Sequence, residues 1–502
     1  MLTKERIRCE KLRDRIISAE EAANIFKTGM VVGTSGFTPA GYPKAVPLAL
    51  AKRADKGDKV EITLMTGASV GDELDGALSR AGVIKKRFPY QTNTSCRNSI
   101  NNEEIEFSDI HLSHLPQWVK YGFIEKIDIA LVEAIAITEE GGIIPSTSIG
   151  NANVYVQKAD KVIVEINTSQ PLGLESIHDI YSPENPPNRK PIPILKTGDR
   201  VGTSYIPCDP EKIVGIVITD IKDANKKLAA IDEDSRKMAN NLIDFLEGEI
   251  RFGRLPENLL PLQSGVGSVA NAVLGGLVDS NYENLTVYSE VLQDSVLDLI
   301  DCGKVNTASS TSLTLSEERL ENFYNNIDQY KEKIILRPQE ISNNPEVIRR
   351  LGIIAINTAI EVDLYGNVNS SNIMGSRLMN GIGGSGDFAR NAYLSIFVTQ
   401  TTAKNGNISC IVPMVSHCDH TEHDVQIIVT EQGVADLRGL SPKGRAKTII
   451  ENCATGEYKE MLKDYYNRAL KCSKYKHTPH IIGEALSWHN RFLETGTMRI
   501  NP

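Results

Sequence analysis

The 502-residue chain has eight cysteines but no C-x-x-C pair, and their scattered positions form neither a metal-type nor a disulfide framework. A reducing cytosol suits such a pattern. No apolar run reaches about 18 residues, the length that a membrane-crossing helix needs. There is no basic excess either. A net charge of −9 argues against non-specific nucleic-acid binding, which needs a positive surface. No low-complexity tract occurs. The opening MLTKERIRCEKLRDRIISAEEAANIF carries acids throughout, so it fits neither a secretory apolar core nor an acid-poor transit peptide. The expectation is a cytoplasmic globular protein with no nucleic-acid partner and no membrane partner.

Hydrophobic residues make up 41% and charged residues 24% of the chain, an ordinary globular mixture, and the length exceeds what one core usually holds. The local plan recurs: apolar run, glycine turn, helix-period segment. MVVGTSGFTPAGYPKAVPLALAKRA (Met30 to Ala54), ITLMTGASVGDELDGALSRAG, LPLQSGVGSVANAVLGGLV and EVLQDSVLDLIDCG all follow it. The runs IDIALVEAIAI, KVIVEIN, IVGIVIT and LGIIAIN are apolar almost throughout, as strands buried on both faces must be. Strands alternating with helices predict an α/β fold with mostly parallel sheets.

A weak internal repeat points to duplication. Ala134 to Gly150 and Thr358 to Gly375 both run apolar strand, acidic turn, glycine, apolar-x-x-Ser, glycine. The polar stretch Thr219 to Lys237 reads as a linker, followed by a long helix in MANNLIDFLEGEIRFG. The expected division is a first α/β domain over 1–222 and a second over 223–502.

Six places could carry chemistry. Glu290 stands where the strand LTVY ends, and ligands of open α/β sheets bind at strand carboxyl ends. A carboxylate there can act as a nucleophile without a separate base, because its ordinary pKa is about 4.3. It can equally be an acid favoured at a helix start. The loop SGVG (Ser264 to Gly267) can present backbone N–H groups to an anion or oxyanion. In GIGGSGDFARNA, Gly381, Gly383, Gly384 and Gly386 allow close backbone approach, but their spacing is not that of a dinucleotide fingerprint. HCDHTEHD brings His417, His420 and His423 together without an H-E-x-x-H pattern, and reads as a polar loop between two strands rather than a metal site. Glu431 is a second carboxylate at a strand end, before Gly433, and Asn343 in ILRPQEISNNPE is an amide able to donate to an oxygen.

Taken together, SGFTPAGYPKAVPLAL, LQSGVGSVANAVL, YSEVLQDS, LRPQEISNNPE, NGIGGSGDFARNA, VPMVSHCDHTEHDV and VTEQGVADLRGLSP resemble the acetyl-CoA hydrolase/transferase branch of the class I coenzyme A transferases, over nearly the whole chain. The match is nearest to succinate CoA-transferases. The resemblance implies two tandem related α/β domains with the active site between them. It implies that Glu290 is the catalytic nucleophile and that Gly384 donates its N–H to the oxyanion. Asn343 would contact the acyl carbonyl or carboxylate, and Glu431 would form a polar wall ordering the CoA-bound state. Gly265, Val266 and Gly267 would lie beside the acyl group. The implied reaction moves CoA between short carboxylic acids, succinyl-CoA and acetate first among them, by ping-pong through a glutamyl-CoA thioester on Glu290. Coenzyme A thioesters are then substrates, with no permanently bound cofactor or metal, and the protein is a homodimer. Related propionyl-, butyryl- or 4-hydroxybutyryl-CoA transferases and acetyl-CoA hydrolase are the alternatives. A metal enzyme using the three histidines, or a non-catalytic CoA-binding module, stands further off.

Overall fold

The structure, a computed structural model, describes residues 2–225, 232–265 and 267–500. By contact the chain forms two compact units. The first comprises Met1–Lys227, Thr286–Ile300 and Val305–Leu351, and the second Leu228–Leu285, Asp301–Lys304 and Gly352–Pro502.

The first unit holds a seven-stranded sheet. Its strands are β1 (Val31–Thr34), β2 (Ile62–Met65), β3 (Ile84–Phe88), β4 (Glu106–Phe107), β5 (Ile129–Ala134), β6 (Lys161–Asn167) and β7 (Ile213–Thr219). They lie in the order β4-β3-β2-β1-β5-β6-β7, and every pairing is parallel. Every residue of β5 is buried, as is all of β6 except Lys161, which explains why both runs are mostly apolar. Strand order reverses between β1 and β5. At such a switch point the loops leaving adjacent strands turn to opposite faces and open a crevice for ligands. Three glycines line that end of the sheet. A Cβ on Gly67 would lie 2.5 Å from the Gly36 carbonyl oxygen and 3.0 Å from the Gly150 Cα, so the loops after β1, β2 and β5 cross with their backbones touching. Any side chain at Gly67 would push them apart.

The strands Ile334–Leu336, Val305–Ser310 and Leu285–Tyr288, which belong to the same unit except for Leu285, lie side by side in that order. The helix Asp294–Asp301 follows the last of these in the chain and buries Val296, Leu297, Leu299 and Ile300.

In the second unit, Leu262–Ser264, Ile354–Thr358, Leu394–Val398 and Ile427–Thr430 pair in parallel, and Gly433–Asp436 adds an antiparallel edge strand. The helix Glu233–Arg251 begins where the Asp232 side chain accepts the N–H of Ser235, one of the donors a helix start leaves unpaired. The core gathers Val362, Phe397, Ile428, Leu462 and Trp488.

The duplication expected from the sequence is visible in element order. In the first unit β5 leads to the hairpin Ala136–Ile137/Ile143–Ile144, the helix Ala152–Lys158 and then β6, parallel to β5. In the second, Ile354–Thr358 leads to the hairpin Glu361–Asp363/Val368–Asn369, the helix Ser385–Asn391 and the parallel strand Leu394–Val398.

Candidate active site

Glu290 lies two residues past the strand Leu285–Tyr288 and is only 7% exposed. A short strand, Val291–Leu292, comes next and pairs in parallel with Ser312–Leu313. The helix starts only at Asp294, whose carboxylate accepts the N–H of Ser316 at 2.9 Å. Asp294 therefore holds the helix-start position, and Glu290 is not placed there by the dipole. The Asn343 amide faces its carboxylate, with Nδ2 at 3.5 Å from Oε2. That is long for a hydrogen bond. Asn343 is fully buried and follows the four-residue helix Gln339–Ser342. The Tyr288 hydroxyl donates to the Ile341 carbonyl at 2.6 Å, which ties that helix to the strand that carries Glu290.

The switch-point loops reach the same place. Thr311 N–H donates to the Glu290 carbonyl at 3.1 Å, and Ile149 N–H donates to the Thr311 carbonyl at 3.0 Å. Gly150 N–H donates to the Thr311 hydroxyl oxygen at 3.0 Å, and Gln339 N–H to the Gly150 carbonyl at 2.9 Å. On the other side the Ser312 hydroxyl donates to the Phe37 carbonyl at 2.8 Å, while Phe37 N–H donates to the Ser148 hydroxyl at 3.1 Å. Phe37, Ala68, Leu112 and Val291 form a small apolar cluster, so the residue after Glu290 packs on the loop after β1. Glu290 thus stands at the carboxyl end of its own strand and against the switch point of the seven-stranded sheet.

Buried charge fixes the loop after β1. Lys44 Nζ lies 2.6 Å from Glu133 and 2.7 Å from Asp223, all three buried, and donates to the Tyr42 carbonyl at 2.8 Å. Burial pushes the Glu133 carboxyl above its usual range, against the pull of Lys44. Glu165 accepts the backbone N–H groups of Lys44, Ala45 and Val46 at 2.8, 3.0 and 2.6 Å, which satisfies the start of the helix Ala45–Asp55. Burial raises its pKa, and those three donors lower it. These carboxylates are committed to holding the fold.

Of the residues singled out from sequence, Glu290 and Asn343 are brought together. The others lie in the second unit. Gly265 N–H donates to the Ile356 carbonyl at 3.0 Å, and Gly267, at φ 141°, precedes the helix Ser268–Gly276. Val266 lies outside the described residues. Gly384 is buried and opens the helix Ser385–Asn391, after Gly383 at φ 61°. Glu431 sits in a two-residue hairpin turn, with Thr430 opposite Gly433, and no helix follows it. Its carboxylate accepts the Thr401 N–H at 3.0 Å and the Thr401 hydroxyl. The three histidines part company. His420 is buried, 2.9 Å from the Ser385 hydroxyl, with its ring tilted against Phe397. His417 faces Asp419 at 3.3 Å, and the exposed His423 faces Thr421. His420 therefore braces the residue after Gly384. Among the described residues no three His, Cys, Asp or Glu side chains converge as a metal site would require.

Sequence reasoning missed Thr311, Ser312, Ser148, Lys44, Glu133 and Glu165. The last two left a signal: each is a charged residue inside an otherwise apolar strand, IALVEA and KVIVEIN.

Comparison with known proteins finds relatives along nearly the whole chain. Residues 1–218 match the acetyl-CoA hydrolase/transferase N-terminal domain, and residues 320–466 match the C-terminal domain of the same family. The succinyl-CoA:acetate CoA-transferase of Clostridium kluyveri is 56% identical over 499 residues, covering 99% of this chain and 93% of that protein. The acetyl-CoA hydrolase of Saccharomyces cerevisiae is 45% identical, covering 100% of this chain and 98% of that one. The crystal structure of RipA from Yersinia pestis aligns with a TM-score of 0.71 at 22% identity, over 93% of this chain and 98% of that chain, which shows a shared fold.

Proposed function

The chain belongs to the acetyl-CoA hydrolase/transferase family, enzymes that act on CoA thioesters, and on that premise we propose that it transfers CoA between succinate and acetate through Glu290. The observation that carries the assignment is the Glu290 carboxylate, buried at a strand's carboxyl end and faced by the Asn343 amide.

The chemistry balances without an added proton source. A Glu290 oxygen attacks the thioester carbonyl of succinyl-CoA. The C–S bond breaks, CoA leaves as a thiolate, and a succinyl-glutamyl anhydride remains. The thiolate then attacks the glutamyl carbonyl, expelling succinate and leaving a glutamyl-CoA thioester. Acetate runs the two steps in reverse. Thioester energy is conserved throughout, so neither ATP nor a metal enters the balance.

Attack on the glutamyl carbonyl moves negative charge onto the remaining glutamyl oxygen. Asn343 Nδ2 faces such an oxygen already, and a donor aimed at developing charge is worth about 2.7–4 kcal/mol. We assign Gly384 N–H to the oxyanion of the acyl thioester, Gly265 to Gly267 to the acyl surroundings, and Glu431 to ordering the CoA-bound state. The family resemblance supports these roles, and with them a cytoplasmic homodimer. Among the described residues no helix is long and apolar enough to cross a membrane. Water must be kept from the anhydride and the thioester, or each would hydrolyse.

The yeast relative's name makes hydrolysis the second reading. CoA release from acetyl-CoA, measured with and without added succinate, separates the two. Transfer predicts no accumulation of free CoA, and conversion of acetyl-CoA to succinyl-CoA only when the acid is present, whereas steady release of free CoA without any acid would establish the hydrolase.

A further inference from the structure

The two ends of an asparagine amide are told apart only by their partners. Buried Asn343 has one end 3.5 Å from Glu290 Oε2 and the other 2.9 Å from the Ser342 hydroxyl. An ionised carboxylate only accepts hydrogen bonds. The end facing Glu290 must therefore be the NH₂ group, and the carbonyl oxygen Oδ1 faces Ser342. The Ser342 hydroxyl has a single proton. Its other acceptor, the Gln339 carbonyl, is at 3.5 Å, so the shorter bond to Oδ1 takes the proton.

We propose that Ser342 is a positioning residue, whose O–H locks the Asn343 amide with Nδ2–H toward Glu290. Turning the amide over would set Oδ1 against a carboxylate oxygen and remove the donor from the oxygen that becomes negative when glutamyl carbonyl attack occurs. Its support is rigid. Ser342 ends a helix held by Tyr288 through the Ile341 carbonyl, by Gly150 through Gln339 N–H, and by Leu112, whose carbonyl accepts Gln339 Nε2–H at 2.9 Å. This inference rests on the assignment of Glu290 as nucleophile.

A double-mutant cycle tests it: Ser342→Ala, Asn343→Ala and the pair, with Glu290→Ala and Ser342→Thr in parallel. Single-turnover transfer from succinyl-CoA is followed, along with KM for the acyl-CoA. Losing one neutral hydrogen bond corresponds to about tenfold in rate. Ser342→Ala should lower the rate about tenfold with KM nearly unchanged, and Ser342→Thr, which keeps the hydroxyl, should restore it. In the Asn343→Ala background, adding Ser342→Ala should change almost nothing. The inference is overturned if Ser342→Ala costs the same in both backgrounds, since the serine would then act on stability or on another group. It is also overturned if Ser342→Ala costs nothing. A Glu290→Ala enzyme that still transfers CoA sinks the nucleophile assignment and this one together. An inactive Glu290→Ala with an additive cycle removes only the role of Ser342.

Discussion

The Thr311 hydroxyl oxygen accepts the Gly150 backbone N–H at 3.0 Å, joining the loop after β5 to the residue whose own N–H donates to the Glu290 carbonyl. The contact couples the switch point of the seven-stranded sheet to the position of the carboxylate. Thr311→Val keeps the shape and removes the acceptor, leaving a buried N–H unpaired at a cost of about 1–3 kcal/mol. Chemical denaturation should show that loss, and transfer activity should fall as well. Thr311→Ser should retain most of both. Unchanged stability in the valine variant would mean that Gly150 finds another acceptor.

Gln91 predicts a change of opposite sign. Its side chain is fully buried, and neither Oε1 nor Nε2 has a hydrogen-bond partner among the described residues. It sits between Tyr90, packed against the Phe37–Val291 cluster, and Thr92, whose N–H donates to Ser69 Oγ at 3.0 Å. A buried amide without partners costs about 1–3 kcal/mol in proteins. Gln91→Met, of similar shape and apolar, should raise stability by a comparable amount in equilibrium denaturation. A drop in stability would show that the amide is paired in solution.

In the second unit, Glu249 is gripped by two guanidinium groups. Arg254 donates to it at 2.6 and 2.9 Å, and Arg438 at 2.8 and 2.9 Å. The Arg254 bonds first, and those of Arg438 second, hold its pKa down at about 2. An unfolded glutamate titrates near 4.3. The folded state thus binds its proton more weakly than the unfolded state does. The stabilisation is complete above about pH 4.3 and is lost as pH falls toward 2. Arg438→Met weakens the grip, so acid unfolding followed by circular dichroism should begin at higher pH than in the parent. An unmoved acid transition would mean that Arg254 alone sets the carboxylate.

The repeat was legible in the sequence as strand, acidic turn and glycine, because parallel strands buried on both faces leave mostly apolar runs such as Ile129–Ala134, interrupted only by Glu133. Glu290 was legible too, as a charge interrupting a strand end. Glu431 shows the limit of that signal. It interrupts a strand in the same way, yet Gly433–Asp436 pairs back as an antiparallel strand, so the carboxylate serves a turn by holding Thr401. The setting of Glu290 was not legible. Ser312 and Phe37 lie 275 positions apart, and serine and threonine hydroxyls in loops look alike until the fold brings two of them together. The orientation of the Asn343 amide depends on the hydroxyl beside it, which no periodicity encodes.

Intact-protein mass spectrometry after incubation with acetyl-CoA, followed by peptide mapping, tests the central claim most directly. The account predicts a CoA adduct on Glu290, discharged by succinate or acetate and missing from Glu290→Ala. Acetyl-CoA turned over with no adduct at Glu290, or an adduct that persists in Glu290→Ala, would contradict it.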